Sequence, residues 1–242
     1  MQQHKLHLSN LISAMHNNTV AYGPFKGLKF INESHWGGAD KGTMILGLYE
    51  QEILGELVNI PNRYEIFIDL GAADGYYGIG VLINGLFKKS YCFEITDTGR
   101  NVIQKNTALN KMEDAVVIRG EATQNFINEI PKDEIDRSVL FVDIEGGEFD
   151  LFNRQIFSSF SNSIIFIELH DFFFSDGDKR LHQLMLDSSH THFHKFFKMG
   201  ARDLSVFKEL EGWNDMDRWL VCAEGRPRLM TWVRFDPVAK NF

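Results

Sequence analysis

From Tyr64 onward the 242-residue chain repeats one pattern, a short apolar run followed by a stretch of helical length. The runs are "YEIFIDL" (64–70), "SYCFEI" (90–95), "AVVIRG" (115–120), "SVLFVDI" (138–144) and "SIIFIEL" (163–169). Helix-compatible stretches fall near 76–86, 97–109, 122–129, 148–158 and 178–188. Strands apolar on both faces, joined by crossovers long enough for a helix, belong in a parallel sheet covered on both sides. Such sheets bind ligands at the carboxyl ends of their strands. This chain places acids there: Asp69, Glu94, Glu121 and Asp143 close four successive runs.

The flanks read as additions to that core. "TMILGLYEQEILGELVNI" (43–60) sets Leu46, Tyr49, Ile53 and Leu57 on one face and predicts a single helix. Residues 1–60 therefore read as an N-terminal cap segment and 61–242 as the core with a C-terminal extension, one domain overall. The stripe Leu6, Leu8, Leu11, Ile12 and Met15 predicts a short surface helix, and its apolar runs are too short for a signal-peptide core or a membrane span. "HFHKFFKMG", "RWLVCAE" and "LMTWVRF" (229–235) read as further strands. Two distant cysteines, Cys92 and Cys222, read as buried thiols of a reducing compartment, so a cytoplasmic protein is expected. A net charge of −8 argues against a nucleic-acid partner, whose phosphates need clustered Lys and Arg.

The loop "DLGAADGYYGIG" decides between ligands. A nicotinamide fingerprint, G-x-G-x-x-G, fails because Ala73 stands where the pyrophosphate needs the second glycine. Gly78 and Gly80 fall inside the following helix, with Ile83 where the third glycine should be. The form D-x-G-x-x-x-G suits S-adenosylmethionine (SAM), which carries no phosphate but needs room and an acid near its amine. Asp69, Gly71, Asp74 and Gly75 meet that demand, although glycine after a strand can also be a plain turn. Glu94 can accept hydrogen bonds from ribose hydroxyls, which suits SAM and NAD alike. "FVDIEGGEFDLF" then packs Asp143, Glu145 and Glu148 around two glycines.

The pairing of "FIDLGAADGYYGIG" with "FVDIEGGEFDLF" and "FIELHDF" resembles the FkbM-type SAM-dependent methyltransferases over about Tyr64 to Asp171, the D-x-E-G-x-E block being the most specific part. The resemblance implies an α/β Rossmann-like methyltransferase fold, a seven-stranded mostly parallel sheet with an antiparallel last strand and helices on both faces. It implies methyl transfer from SAM, usually to oxygen, on a saccharide or other small-molecule acceptor. Carried over, Asp69, Gly71, Ala73, Asp74 and Gly75 form the cofactor loop, with Tyr76 opening the next helix. Glu94 would hold the ribose, Glu121 with Ala122 the adenine, and Asp143 would face the methionyl end. Glu121 also reads as an ordinary charge at a helix N-terminus. "GLYEQEI" and "EGRPRLMTW" are similar to segments of bacterial relatives, without a role attached. The His- and Trp-rich C-terminus matches no motif of the family, which leaves the acceptor open.

Methyl transfer is an in-line displacement, so alignment is the main demand, and a hydroxyl acceptor also needs a base or a metal to take its proton. The candidates are Asp143, Glu145 and Glu148 after one strand and Glu168, His170 and Asp171 after the next. Strand alternation puts Glu168 and His170 on the same side. His170, Asp143 and Glu145 are the candidate catalytic groups, and the same mix would suit Mg²⁺ or Mn²⁺. Plain readings stand beside these: Glu148 as a helix-start charge, Asp171 as a cap, His170 as a hydrogen-bonded structural residue. In "HTHFH", His190, His192 and His194 would share a strand face, but without a fourth zinc ligand a histidine face is expected. Trp213, Trp219 and Trp232 suggest core packing of a C-terminal hairpin, with sugar stacking as the alternative. Rival functions are N- or carboxyl-methylation of a metabolite, a scaffold module on the same fold, and a NAD-dependent enzyme. Intact Asp69, Gly71, Gly75 and Glu94 speak against the scaffold.

Overall fold

In the computed structural model, which describes residues 1–226 and 228–238, all five core runs are strands. They are β1 (Ile66–Leu70), β2 (Lys89–Phe93), β3 (Val116–Arg119), β4 (Ser138–Val142) and β5 (Ile164–Leu169). With β6 (His192–Lys198) and β7 (Thr231–Pro237) they form one seven-stranded sheet in the order β3-β2-β1-β4-β5-β7-β6. β1 to β5 pair in parallel, whereas β7 runs antiparallel to both β5 and β6. The mostly parallel sheet with an antiparallel last strand is the expected one. Strand order reverses between β1 and β4, where β1 pairs with β2 on one side and β4 on the other. Crevices open at such switch points.

Every residue of β1, β4 and β5 is buried, because both sheet faces are covered. Phe67, Phe141, Phe166 and Trp232 lie on the face shared with the helix Tyr76–Ile83 and the N-terminal segment. Phe141 is the hub there, with ring centroids 4.3 Å from Tyr77 and 4.6 Å from Trp232. Ile68, Leu70, Val142 and Ile167 face the opposite layer with Phe126, Phe157 and Phe160. A smaller cluster joins Leu8 and Ile12 of the helix Gln2–Met15 to Ile45, Leu210 and Val221. Trp232 is thus a core residue, while Trp219 stays exposed.

Three local expectations are corrected. The helix expected over 43–60 is two helices, Lys41–Ile45 and Gln51–Leu57. Gly47 at φ +66° and Glu50 at φ +47° break it, and a Cβ on Gly47 would lie 2.5 Å from the Tyr22 carbonyl oxygen. "RWLVCAE" belongs to the helix Asp215–Cys222, not to a strand. Asn214 caps it by accepting from Asp217 N, and its Val221 and Cys222 pack in the N-terminal cluster. The stretch 148–158 is likewise split into Glu148–Leu151 and Arg154–Ser159, with Asn153 capping the second.

The histidines of "HTHFH" do not converge. His192 is buried with Nε2 at 3.1 Å from the Ser163 carbonyl, His190 meets Ser158, and His194 is exposed on β6. Cys92 and Cys222 are free and buried. Among the described residues no helix is long and apolar enough to cross a membrane.

The seam between β1 and β4 is closed by backbone. Gly71 has φ +90°, and a Cβ there would sit 1.8 Å from the Asp143 carbonyl oxygen. Gly71→Val is therefore expected to yield an insoluble chain, or one whose urea midpoint falls by the equivalent of several kcal/mol, about 3 or more. A soluble Gly71→Val protein that unfolds at the wild-type midpoint would contradict this seam.

Candidate active site

The loop after β1 is shaped by three residues in left-handed conformation: Gly71 (φ +90°), Ala73 (φ +49°) and Gly75 (φ +84°). Gly71 and Ala72 both donate their N–H to the Phe93 carbonyl, at 3.0 and 2.9 Å. That folds the loop across the end of β2 and opens a cavity of about 570 Å³ over the ends of β1, β2, β3 and β4. Asp69, Gly71, Ala73, Asp74, Tyr76, Glu94, Glu121, Ala122, Asp143 and Glu145 all line it. Two expected site residues do not. Gly75 caps the helix from behind, where a Cβ would strike Ile79 at 2.8 Å, and His170 lies deeper.

At the β2 end, Glu94 is buried and tightly held. Its Oε1 accepts from Thr96 N (2.8 Å) and Thr96 Oγ1 (2.7 Å), and among the described residues Oε2 accepts only from Ala73 N, at 3.2 Å. Gly99 makes room for it, since a Cβ there would fall 2.6 Å from Glu94 Cγ. At the floor, burial pushes the Asp69 carboxyl up to about 8, against a lowering hydrogen bond from the Gly78 backbone. Burial thus favours the neutral form of Asp69, whose Oδ2 is buried and unpartnered. Glu121 is exposed at the mouth.

Asp74 does something the sequence did not suggest. Its carboxylate accepts from Ser34 Oγ, from His35 N at 2.8 Å and from Trp36 N at 3.1 Å. A strap of the N-terminal segment is thereby pinned at the cavity rim, and His35 and Trp36 line the cavity themselves.

The other end is a nest of acids around one imidazole. His170 Nε2 lies 3.4 Å from Glu145, 3.4 Å from Glu168 and 3.8 Å from Asp143, and Nδ1 lies 3.3 Å from Glu148. Glu148 is fully buried and accepts from the backbone N–H of Gly146 and His170, both at 2.8 Å. It is a structural acid that fixes His170, not a solvated helix charge. Burial pulls the His170 pKa down, but Glu148, Asp143 and Glu145 outweigh it and the net shift is upward. Glu145 is half-exposed and its pKa is raised by burial and by Asp143, with His170 opposing. Glu145 (φ +52°) and Gly146 (φ +99°) are both left-handed, the turn that folds the D-x-E-G-x-E block back on itself.

Two residues to which the sequence attached no role complete the nest. Arg226 bonds Glu168 and Glu50 through its terminal nitrogens and Glu224 through Nε at 2.9 Å. Glu50 also accepts from Tyr77 Oη at 2.6 Å, and burial raises its pKa to about 7 despite Arg226. The segments "GLYEQEI" and "EGRPRLMTW" therefore meet at this ion pair. Burial raises Glu168 further, with Asp143 and Glu50 adding to it and Arg226 opposing.

The donor atoms of Asp143, Glu168 and His170 lie within 4.8 Å of one another, close enough to gather on one cation. Arg226 already bonds Glu168, however, and its charge opposes an incoming one. The fit to a metal is poor on that ground. The fit to SAM is better: besides the room at Glu94 Oε2, Asp143 Oδ1 is buried without a hydrogen-bond partner at the cavity wall.

No protein-family model and no curated protein sequence matches this chain. Solved structures do. A Streptococcus pneumoniae protein, assigned as a tRNA (m1A22) methyltransferase, superposes with a TM-score of 0.51 at 10% identity, covering 79% of this chain and 72% of its own. The structure of that protein with SAM matches at 0.49 and 11%, covering 79% and 74%. An uncharacterised Listeria monocytogenes protein matches at 0.51 and 9%, covering 78% and 68%. A fold shared with a tRNA-assigned protein means that a net charge of −8 does not exclude a nucleic-acid acceptor, contrary to the expectation from composition. The chain has the Rossmann-like fold of the SAM-dependent methyltransferases.

Proposed function

We propose that this chain is a SAM-dependent methyltransferase of the FkbM type, acting on a hydroxyl acceptor in a reducing, cytoplasmic compartment. One observation carries the reading: a single cavity has a buried carboxylate with a free acceptor site at the β2 end and an unpartnered one at the β4 end. Glu94 would take a ribose hydroxyl at Oε2, Glu121 the adenine amino group at the mouth, and Asp143 the cationic methionyl end. When bound, SAM supplies a methyl group on a sulfonium, ready for in-line displacement.

The residues around that end can handle the acceptor's proton. Glu145 lines the cavity and His170 lies directly behind it, so Glu145 is the group within reach of a hydroxyl. It would accept the proton as the oxygen attacks. His170, held by Glu148 and protonated more readily than a free imidazole, balances the charge of Asp143 and Glu145. His170 is on this view a positioning residue, and no step runs through a metal. Dialysis against EDTA should leave turnover unchanged, whereas loss restored by Mg²⁺ or Mn²⁺ would assign Asp143, Glu168 and His170 to a cation.

Calorimetric titration tests the cofactor. The wild type should bind SAM and S-adenosylhomocysteine, and Glu94→Ala should weaken both by about 2–3 kcal/mol, the worth of a charged hydrogen-bond acceptor. Binding unchanged in Glu94→Ala would place the ribose elsewhere.

The pH profile tests the base. Activity requires ionised Glu145, so the rate should rise with pH through a value above the ordinary 4.5. His170→Gln removes the cation that lowers this carboxyl, so the midpoint should move up, whereas Glu145→Gln removes the base itself and should cut turnover within about 10²–10⁴-fold. A wild-type rise centred above the ordinary imidazole value of 6.5, abolished in His170→Gln, would make His170 the base instead. Turnover surviving loss of both Glu145 and His170 would favour N- or carboxyl-methylation. Methyl transfer to tRNA but to no polyol would replace the hydroxyl-acceptor reading.

A further inference from the structure

We infer that the N-terminal strap supplies two cofactor contacts, His35 and Trp36, and that Asp74 acts on the cofactor only through that strap. The inference rests on the proposed SAM site and gives it a wall outside the sheet core. Asp74 belongs to the glycine loop, yet three donors from residues 34–36 already occupy its carboxylate. A carboxylate offers about four acceptor positions, so little is left for a ligand's amine. Its backbone carbonyl is also taken, by Asn106 Nδ2 at 2.9 Å, and the same amide's Oδ1 accepts from Ile31 N at 2.9 Å. Lys41 Nζ donates to the Ile31 carbonyl at 3.1 Å. The strap is therefore fixed at Ile31 and again at 34–36.

What it carries into the cavity is specific. His35 Nε2 lies 2.9 Å from Thr96 Oγ1, which itself donates to Glu94 and accepts from Gly99 N. A hydroxyl with its one proton given to Glu94 can only accept from His35, so the imidazole carries its proton on Nε2 and leaves Nδ1 as an acceptor. His35 thereby belongs to the group that positions Glu94. Trp36 stands beside it at the rim. Of the described residues lining the cavity, only Trp36 and Ile95 are large apolar side chains left exposed, at 55% and 64%. Both sit at the Glu94 end. An indole and an isoleucine flanking a ribose-binding carboxylate suit the two faces of a purine ring, and covering them removes apolar surface from water.

Calorimetry with S-adenosylhomocysteine tests this through a mutant cycle. Trp36→Ala and His35→Ala should each raise Kd about 5- to 30-fold, the range for a stacked ring or one polar contact. Asp74→Asn should weaken binding similarly in the wild-type background and have no further effect in His35→Ala/Trp36→Ala, because the contacts it holds are already gone. Ser34→Ala, which removes one latch bond at an exposed residue, gives a smaller loss in the same direction should Asp74→Asn fail to fold. Wild-type affinity in His35→Ala/Trp36→Ala, or an Asp74→Asn loss of equal size in both backgrounds, would overturn the inference while leaving the SAM reading intact. A wild-type chain that does not bind S-adenosylhomocysteine would overturn both.

Discussion

The Arg226 guanidinium is the contact on which the acid-rich end of this molecule depends. It reaches Glu50 from the N-terminal segment, Glu168 at the end of β5 and Glu224 from its own segment. Glu50 and Glu168 are each 1% exposed, and neither could be ionised there without a partner. Removing one member of a buried pair leaves a bare charge and costs about 3–5 kcal/mol. The pair also explains the broken helix. Only a kink at Gly47 and a left-handed Glu50 bring that carboxylate to the sheet, with Tyr77 and Arg226 holding it in place. Arg202 extends the network by bonding Glu52 and Glu224.

That compensation is local, and the groups it does not reach keep a different character. Asp69 is buried with no cation among its perturbing groups, and its carboxyl rises to about 8. His170 goes the other way, drawn up by the carboxylates that face it. The cavity floor therefore holds a carboxyl driven toward its neutral form, while its other end has a half-exposed carboxylate backed by a readily protonated imidazole. The environments push these titrations apart, the arrangement that lets carboxyl groups take separate roles. Half of the six described non-glycine residues at positive φ fall in the same places, the others being Asn17, Asn18 and Lys111. Ala73, Glu50 and Glu145 are non-glycine residues at positive φ, and all three border the cavity or its ion network.

The sheet and the glycine loop were legible because each leaves a local trace. "IFIDL" is apolar on both faces, which only a covered central strand tolerates, and Gly71 follows it where a side chain cannot fit. The acids at the strand ends were legible for the same reason, and the structure brings Asp69, Glu94, Glu121 and Asp143 to one cavity. What escaped was tertiary. The face Leu46, Tyr49, Ile53, Leu57 keeps helical spacing straight through Gly47 and Glu50, so periodicity alone reads one helix. Glu50 and Arg226 are 176 positions apart, and nothing in either neighbourhood announces the other. His35 and Trp36 lie in no motif, and only the Asp74 hydrogen bonds reveal why they matter. "RWLVCAE" misled because a short apolar run does not distinguish strand from helix without its cap, here Asn214.

The central claim is that one cavity over the ends of β1, β2 and β4 holds SAM in a stated orientation. A crystal structure of the chain with S-adenosylhomocysteine tests it most directly. The account predicts the ribose within hydrogen-bonding distance of Glu94, the purine between Ile95 and Trp36, and the homocysteine end beside Asp143. A ligand bound in the reverse orientation, or outside this cavity, would contradict it.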